Sequence, residues 1–164
     1  MSSAQIGVRL SVTVTVAAAI AAAGLLQGCG ASAIGTHARV AQGIGLSLGG
    51  AMDVATSARA AELDRIERET EGQPGPERVA ALRAEAENWQ PVAHALDVTR
   101  GVLSSYVEAI ALAHAVDNGD PTPQLISLAA RLVSLWDPLV RLLGDAGITL
   151  APLPDELAAI VGGQ

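Results

Sequence analysis

Apolar side chains recur every seven residues along the middle of the chain, and this spacing constrains the fold more than any other feature. The heptad positions are Leu82, Trp89, Leu96, Leu103 and Ile110, with companion positions at Val79, Ala86, Ala93, Arg100, Val107 and His114. The pattern begins near Pro76, a favourable residue for the first turn of a helix. It stops at residues 118–123, where Gly and Pro interrupt it. Five apolar positions in register predict one long helix with coiled-coil-like packing, and not a strand.

Three further segments show helical spacing of apolar residues. With the heptad segment, the predicted helices cover residues 37–70, 76–116, 123 to 144 or 145, and 154–161. Outside the N-terminal segment no stretch alternates apolar and polar residues, so the expected fold class is all-α. We expect a long antiparallel helical hairpin, a third helix that forms a three-helix bundle with it, and a short C-terminal helix. The chain has only three aromatic residues and no Phe, so the core must be built from Ala, Leu and Val.

Charged residues cluster around the turn of the predicted hairpin, where 13 of the 27 lie between Arg59 and Glu87. The third helix, at about 22 residues, is shorter than its neighbours at about 34 and 41 residues, so it covers only half of the hairpin. We therefore expect residues 59–87, called the arm, to project from a three-helix base. The charge is typical of a solvated surface held by pairs such as Asp64–Arg68. The alternative is that the arm docks a partner.

Four glycines lie close together between Gly43 and Gly50. Each costs about 1 kcal/mol relative to Ala in a helix interior. Gly45 and Gly49 have the small-xxx-small spacing that permits close helix approach. Three interpretations stay open: tight packing against the second long helix, insertion into a bilayer surface, or a break in the first helix.

Residues with catalytic or ligand-binding chemistry form no recognisable constellation. Ser47 lies in a G-x-S-x-G match, but that motif requires a preceding strand and an α/β sheet. His94 and His114 are about 200° apart around one helix, and no His lies three or four residues from another His or Cys. The carboxylates lie mainly on the arm, where exposure makes them poor acid–base catalysts. We predict no catalytic, cofactor-binding or metal-binding residue, and no enzymatic activity.

Charge and cysteine content exclude two further classes of protein. The net charge is −7 and the chain contains no Lys, which excludes a strongly basic nucleic-acid binder. The single Cys excludes a disulfide scaffold.

Residues 1–28 have the organisation of a secretory signal peptide. Arg9 supplies positive charge, and residues 10–26 contain no charged side chain. The run Leu26-Gln27-Gly28-Cys29 follows, and it resembles the lipobox of bacterial lipoprotein precursors. The resemblance implies signal cleavage after Gly28, acylation of Cys29, a lipidated tether at residues 29–36 and a helical bundle domain at residues 37–164. Residue 30 is Gly and not Asp, which by the same resemblance indicates the outer membrane.

The alternative interpretation of the N-terminal segment is an uncleaved transmembrane anchor. Seventeen apolar residues span about 26 Å as a helix, against roughly 30 Å for a hydrocarbon core. In either case the rest of the chain is expected to be exported and held at a membrane.

The sequence thus predicts a membrane-anchored periplasmic lipoprotein that acts as a structural or binding accessory factor of the cell envelope. Its expected partners are the lipid bilayer, through Cys29, and an envelope protein, through the arm, with no cofactor. One alternative is a phage-derived lysis or exclusion lipoprotein, because the run from Trp89 to Asp97 is similar to uncharacterised phage-borne helical proteins. Another is an inhibitor lipoprotein that binds an envelope enzyme. Oligomeric state stays open, since the heptads can pair within or between chains.

Overall fold

The computed structural model describes residues 33–116 and 122–162, and in this part of the chain every regular element is a helix. The helices are α1 (Ala33–Glu69), α2 (Gly75–Val116), α3 (Pro123–Asp145) and α4 (Asp155–Gly162). The predicted all-α class, with a long hairpin, a third helix and a short C-terminal helix, is confirmed. None of the described helices combines the length and the apolar content needed to cross a bilayer.

The start of α1 differs from the prediction. Residues 33–36 are helical, so α1 begins four residues before the predicted start at His37. Gly35 and Thr36 are poor helix formers, which is why the sequence pattern suggested a start at His37. Ile34 is buried on the same face as Ala38 and Ala41, and this packing outweighs the local preference.

The turn between α1 and α2 is closed by local hydrogen bonds. Both the backbone N–H and the hydroxyl of Thr70 donate to the Ile66 carbonyl, at 2.9 and 2.7 Å. Gly72 has a φ of +82°, a left-handed conformation that side chains other than Gly rarely adopt. The Pro74 carbonyl then accepts from the N–H of Glu77 at the start of α2. The breaker predicted at residues 71–76 therefore marks a real reversal of the chain.

The hydrophobic core occupies one end of the hairpin. α2 packs against both α1 and α3, while the short α4 contacts α1 and α3. Buried apolar residues run from Ile34 to Ala55 on α1, from Val92 to Ala113 on α2 and along the whole of α3. Within the arm, only Ile66, Thr70 and Glu85 are buried. We call the other described residues, 33–58, 88–116 and 122–162, the base.

The buried face of α2 is rotated from the one predicted. Leu96, Leu103 and Ile110 are buried as expected, but among the predicted companions Ala93 and His114 are exposed. The actual second row is Val92, Thr99, Tyr106 and Ala113. Its two polar members have hydrogen-bond partners, since Thr99 donates to the Ala95 carbonyl at 2.8 Å and Tyr106 is bonded to His37. Partnered polar groups are tolerated in a core, and sequence pattern alone does not show the partner.

Hydrogen bonds cap both ends of helix α3, and an indole hydrogen bond attaches the segment that follows it. Thr122 is the N-cap of α3, with its side chain accepting from the Leu125 N–H at 3.2 Å. The helix ends where the Ile148 N–H donates to the Leu143 carbonyl at 2.8 Å. The Trp136 indole N–H donates to the Ala151 carbonyl at 3.1 Å, which fixes the returning segment against α3.

The glycine-rich stretch lies inside a continuous α1, which excludes a break. Gly45 is buried, but Gly49 is exposed and a Cβ built there meets no atom within 4 Å. The predicted close approach through the Gly45–Gly49 pair is therefore not formed. A Cβ at Gly43 lies 3.7 Å from Pro154 Cγ, so this glycine faces the returning segment and not α2.

Candidate functional site at the junction of arm and base

The residues singled out for their chemistry do not meet in the structure. Cys29 and Gly28 lie outside the described residues. Ser47 is in the middle of a helix, without the strand-to-helix turn that a nucleophile elbow requires. His94 and His114 are exposed on α2. Among the described residues, no three His, Cys, Asp or Glu side chains are grouped so as to hold a metal ion.

Trp89 lies where the core ends and the arm begins. It is half-buried, and its indole N–H donates to Glu85 Oε1 at 2.5 Å. This bond joins residues one helical turn apart, and it leaves Glu85 only 8% exposed. A carboxylate buried to this extent requires a donor, and the indole supplies it. Sequence reasoning assigned Trp89 to the heptad and missed Glu85, although the spacing of four residues was the available signal.

Two open grooves flank the Trp89 side chain. The larger, of about 430 Å³, lies between the two long helices and the end of α3. We call it the acidic groove, and its lining includes Glu62, Glu85, Asn88, Trp89, Leu142 and Asp145. The smaller, of about 190 Å³, is lined mainly by apolar side chains such as Met52, Val92 and Leu96. One aromatic side chain thus contributes to two accessible concave surfaces.

The acidic groove carries an excess of negative charge. Its lining contains three carboxylates and no Arg. Asp145 ends α3, whose last turn has no basic residue, so the partial negative charge of that helix end adds to the carboxylate. Only Glu62 has a cationic partner there: its hydrogen bond and charge interaction with Arg65 lower the pKa of its carboxyl group. A groove with these properties favours a cationic side chain, and the ring face of Trp89 is also suited to bind a cation.

A second polar pair, also missed at the sequence level, is buried in the base. His37 Nδ1 and the Tyr106 hydroxyl are 2.6 Å apart, and the two ring centroids are 5.8 Å apart. His37 is 3% exposed and Tyr106 is fully buried. Burial lowers the pKa of His37 and raises the pKa of Tyr106, so both groups are neutral near pH 7. The pair connects α1 to α2 and has a structural role.

Comparisons with protein families, curated proteins and solved structures yield no match to this chain.

Proposed function

We propose that this protein is a lipid-anchored accessory factor of the cell envelope that binds a partner protein through the arm and the acidic groove beside it. The anchor is supported by the apolar run of residues 10–26 followed by Leu26-Gln27-Gly28-Cys29. On this proposal the chain is acylated at Cys29, cleaved after Gly28 and held at the outer membrane facing the periplasm. Acyl chains contribute about 0.8 kcal/mol for each buried methylene group, so two or three of them anchor a protein stably.

The observation that carries the binding role is the exposed arm. Helix α1 has 37 residues, which makes it about 55 Å long, whereas α3 has 23 and covers only part of the hairpin. The arm therefore projects beyond the third helix with little core of its own. A projecting hairpin with many charged side chains is suited to contact with another protein at a distance from the anchor.

Part of the arm's charge is neutralised within the chain. Arg65 pairs with Glu62 and Glu69 along α1, and Arg78 of α2 pairs with Glu67 of α1 at 3.0 Å. The predicted Asp64–Arg68 ion pair is not formed: the Arg68 Nε–H donates to the Asp64 carbonyl oxygen at 3.2 Å. These local bonds fit a solvated surface. The acidic groove is less neutralised than the rest of the arm surface, because its Glu85 and Asp145 carboxylates have no Arg partner among the described ion pairs.

Intact mass spectrometry of the protein extracted from membranes tests the anchor. We expect a chain that begins at Cys29 and carries two or three acyl chains. The Cys29→Ala variant should remain uncleaved and unacylated. A wild-type chain that still begins near Met1 without a modification would contradict the proposal.

Site-specific photo-crosslinking in the producing cell tests the binding role. A photoreactive residue at Asn88, in the acidic groove, should give one dominant crosslinked protein, and the same residue at Glu108, exposed on the base, should not. The Asp145→Asn variant should reduce the Asn88 crosslink, while Asp137→Asn, an exposed substitution on the same helix, should not. Equal crosslinking from the two sites would contradict a docking role for the groove.

A further inference from the structure

Large apolar side chains are exposed at the end of α2 that lies opposite the arm. Leu112 is 59% exposed and Val116 is 66% exposed. They are four residues apart and therefore lie on the same side of the helix. Ala111 and Ala115, on the same two turns, are also exposed. Exposed apolar side chains at neighbouring positions mark a surface that gains stability when it is covered.

Few charged side chains lie at this end of the base: among the described residues nearby, Glu108 is exposed and the Arg39 guanidinium donates to the Thr36 hydroxyl at 3.2 Å. Three segments form it, residues 33–38 of α1, 109–116 of α2 and 122–130 at the start of α3, and none contains Asp, Glu, Lys or Arg. The only titratable side chains in these segments are the buried His37 and the exposed His114. We call this surface the uncharged end. The arm, at the other end of the same hairpin, is densely charged.

The three segments lie at the same end of the molecule because α1 and α2 are antiparallel. The hydrogen bond between His37 and Tyr106 sets their register. From that level Ala33 is four residues, or about 6 Å, toward the uncharged end, and Val116 is ten residues, or about 15 Å, in the same direction. Val116 therefore lies farther out than the first described residue of α1.

The length of chain that precedes α1 identifies what covers this surface. Ala33 follows Cys29 by four positions, and even a fully extended chain spans at most about 14 Å over this length. If Cys29 is acylated, its acyl chains hold the start of α1 within that distance of the hydrocarbon core. The polar interface of a bilayer occupies much of such a distance, being roughly 5–8 Å thick on each side.

We propose that the uncharged end rests on the bilayer surface, with Leu112 and Val116 in contact with the boundary between headgroups and acyl chains. This inference rests on the proposed lipid anchor. The proposed contact is mainly apolar, since the cation shown bonded to these segments is Arg39 alone, whose guanidinium donates to the Thr36 hydroxyl. The arm then points away from the membrane.

Lipid quenching on the full-length protein, reconstituted after extraction from membranes, tests the contact. Single variants Leu112→Cys and Val116→Cys carry an environment-sensitive fluorophore in phosphatidylcholine vesicles that contain nitroxide-labelled lipid. Val79→Cys in the arm and Val54→Cys on α1 are matched controls, because both wild-type residues are also more than half exposed. We expect several-fold stronger quenching at residues 112 and 116 than at residue 79, with little change in 1 M salt. Equal quenching at all four sites would overturn the contact.

Two further readouts separate the possible failures. Intact mass shows whether Cys29 is acylated, and an unacylated Cys29 would itself take the fluorophore, which would overturn the anchor and, with it, this inference. An acylated chain without quenching at residue 112 would overturn the membrane contact alone. Energy transfer between labelled copies that persists at high dilution in the vesicles would show that a second copy covers Leu112, and would also overturn the membrane contact.

Discussion

The base and the arm are built from the same two helices, yet they are stabilised in different ways. In the base, α2 is packed between α1 and α3, and buried apolar residues recur along each helix. In the arm the same helices meet the third helix only at the acidic groove, and Ile66 is the single buried apolar side chain of residues 59–87. Surface hydrogen bonds and ion pairs replace the core there. The comparison shows that a regular helix pattern can continue well beyond the region where a core supports it.

The largest expected contrast comes from truncating a buried leucine. Leu132→Ala in α3, where the side chain is fully buried, should lower the free energy of unfolding by about 2–5 kcal/mol because it leaves a cavity. Leu82→Ala in the arm, where the side chain is only half-buried, should cost clearly less. Urea denaturation of both variants measures the difference. Equal losses would mean that the arm is supported as firmly as the base.

Removing the Tyr106 hydroxyl should have the next largest effect. Tyr106→Phe leaves His37 Nδ1 buried without its partner, which should cost about 1–3 kcal/mol of stability. The double variant Tyr106→Phe, His37→Leu should recover part of this loss, because it removes both polar groups. Urea denaturation of the single and double variants gives the interaction free energy between the His37 and Tyr106 side chains. If the double variant lost more free energy of unfolding than the two single variants together, this account would be contradicted.

The stability of the base should depend on pH through His37. Burial lowers its pKa below the ordinary value of 6.5, so the unfolded chain takes up a proton that the folded chain does not. The free energy of unfolding should therefore fall as the pH drops below about 6.5, by at most about 1.4 kcal/mol per pH unit, and level off below the folded-state pKa.

Urea denaturation between pH 8 and pH 5 measures this slope. His37→Gln should flatten it relative to the wild type, whereas His94→Gln, at an exposed position on α2, should not. An NMR titration of the His37 ring gives an independent check. A His37 pKa at or above the ordinary value of 6.5 would contradict the assignment.

The smallest expected effect is in the arm. Glu67→Gln removes the ion pair with Arg78 that connects the two helices, and both side chains are about half exposed. We expect a loss of about 0.2–1 kcal/mol in low salt, which disappears in 1 M salt because exposed charges are screened. Glu87→Gln, also an exposed glutamate of the arm, serves as the control. A loss of stability that persists in high salt would show that the contribution of this pair is not that of a solvent-screened ion pair.

Helix positions were largely predictable because their signals are local. The breaker before Pro76 and the Pro and Gly residues at 119–123 predicted the helix ends to within a few residues. The predicted start of α1 was wrong by four residues. In the sequence pattern, the low helix propensity of Gly35 and Thr36 outweighed the single apolar residue Ile34. The half coverage of the hairpin by α3 also followed from helix lengths alone.

The candidate site was much less predictable. Its main features are the Trp89–Glu85 bond and the carboxylates that α1, α2 and α3 place around one groove, and these carboxylates are up to 83 positions apart in the sequence. The sequence pattern predicts Glu85 on the charged surface and His114 at a heptad core position. The structure exposes His114 and buries Glu85, because the face of α2 that packs is rotated from the one predicted.

The sequence by itself determined which segments are helical, where they reverse and which half of the hairpin lacks a third helix. Helical spacing, breakers and lengths are properties of short stretches, so they can be recognised without knowledge of the fold. Only the tertiary structure decided which side of α2 is buried, which polar groups are paired and where the grooves lie. Burial of Thr99, Tyr106 or Glu85 is favourable only when a particular partner is present, and that partner is supplied by the folded chain.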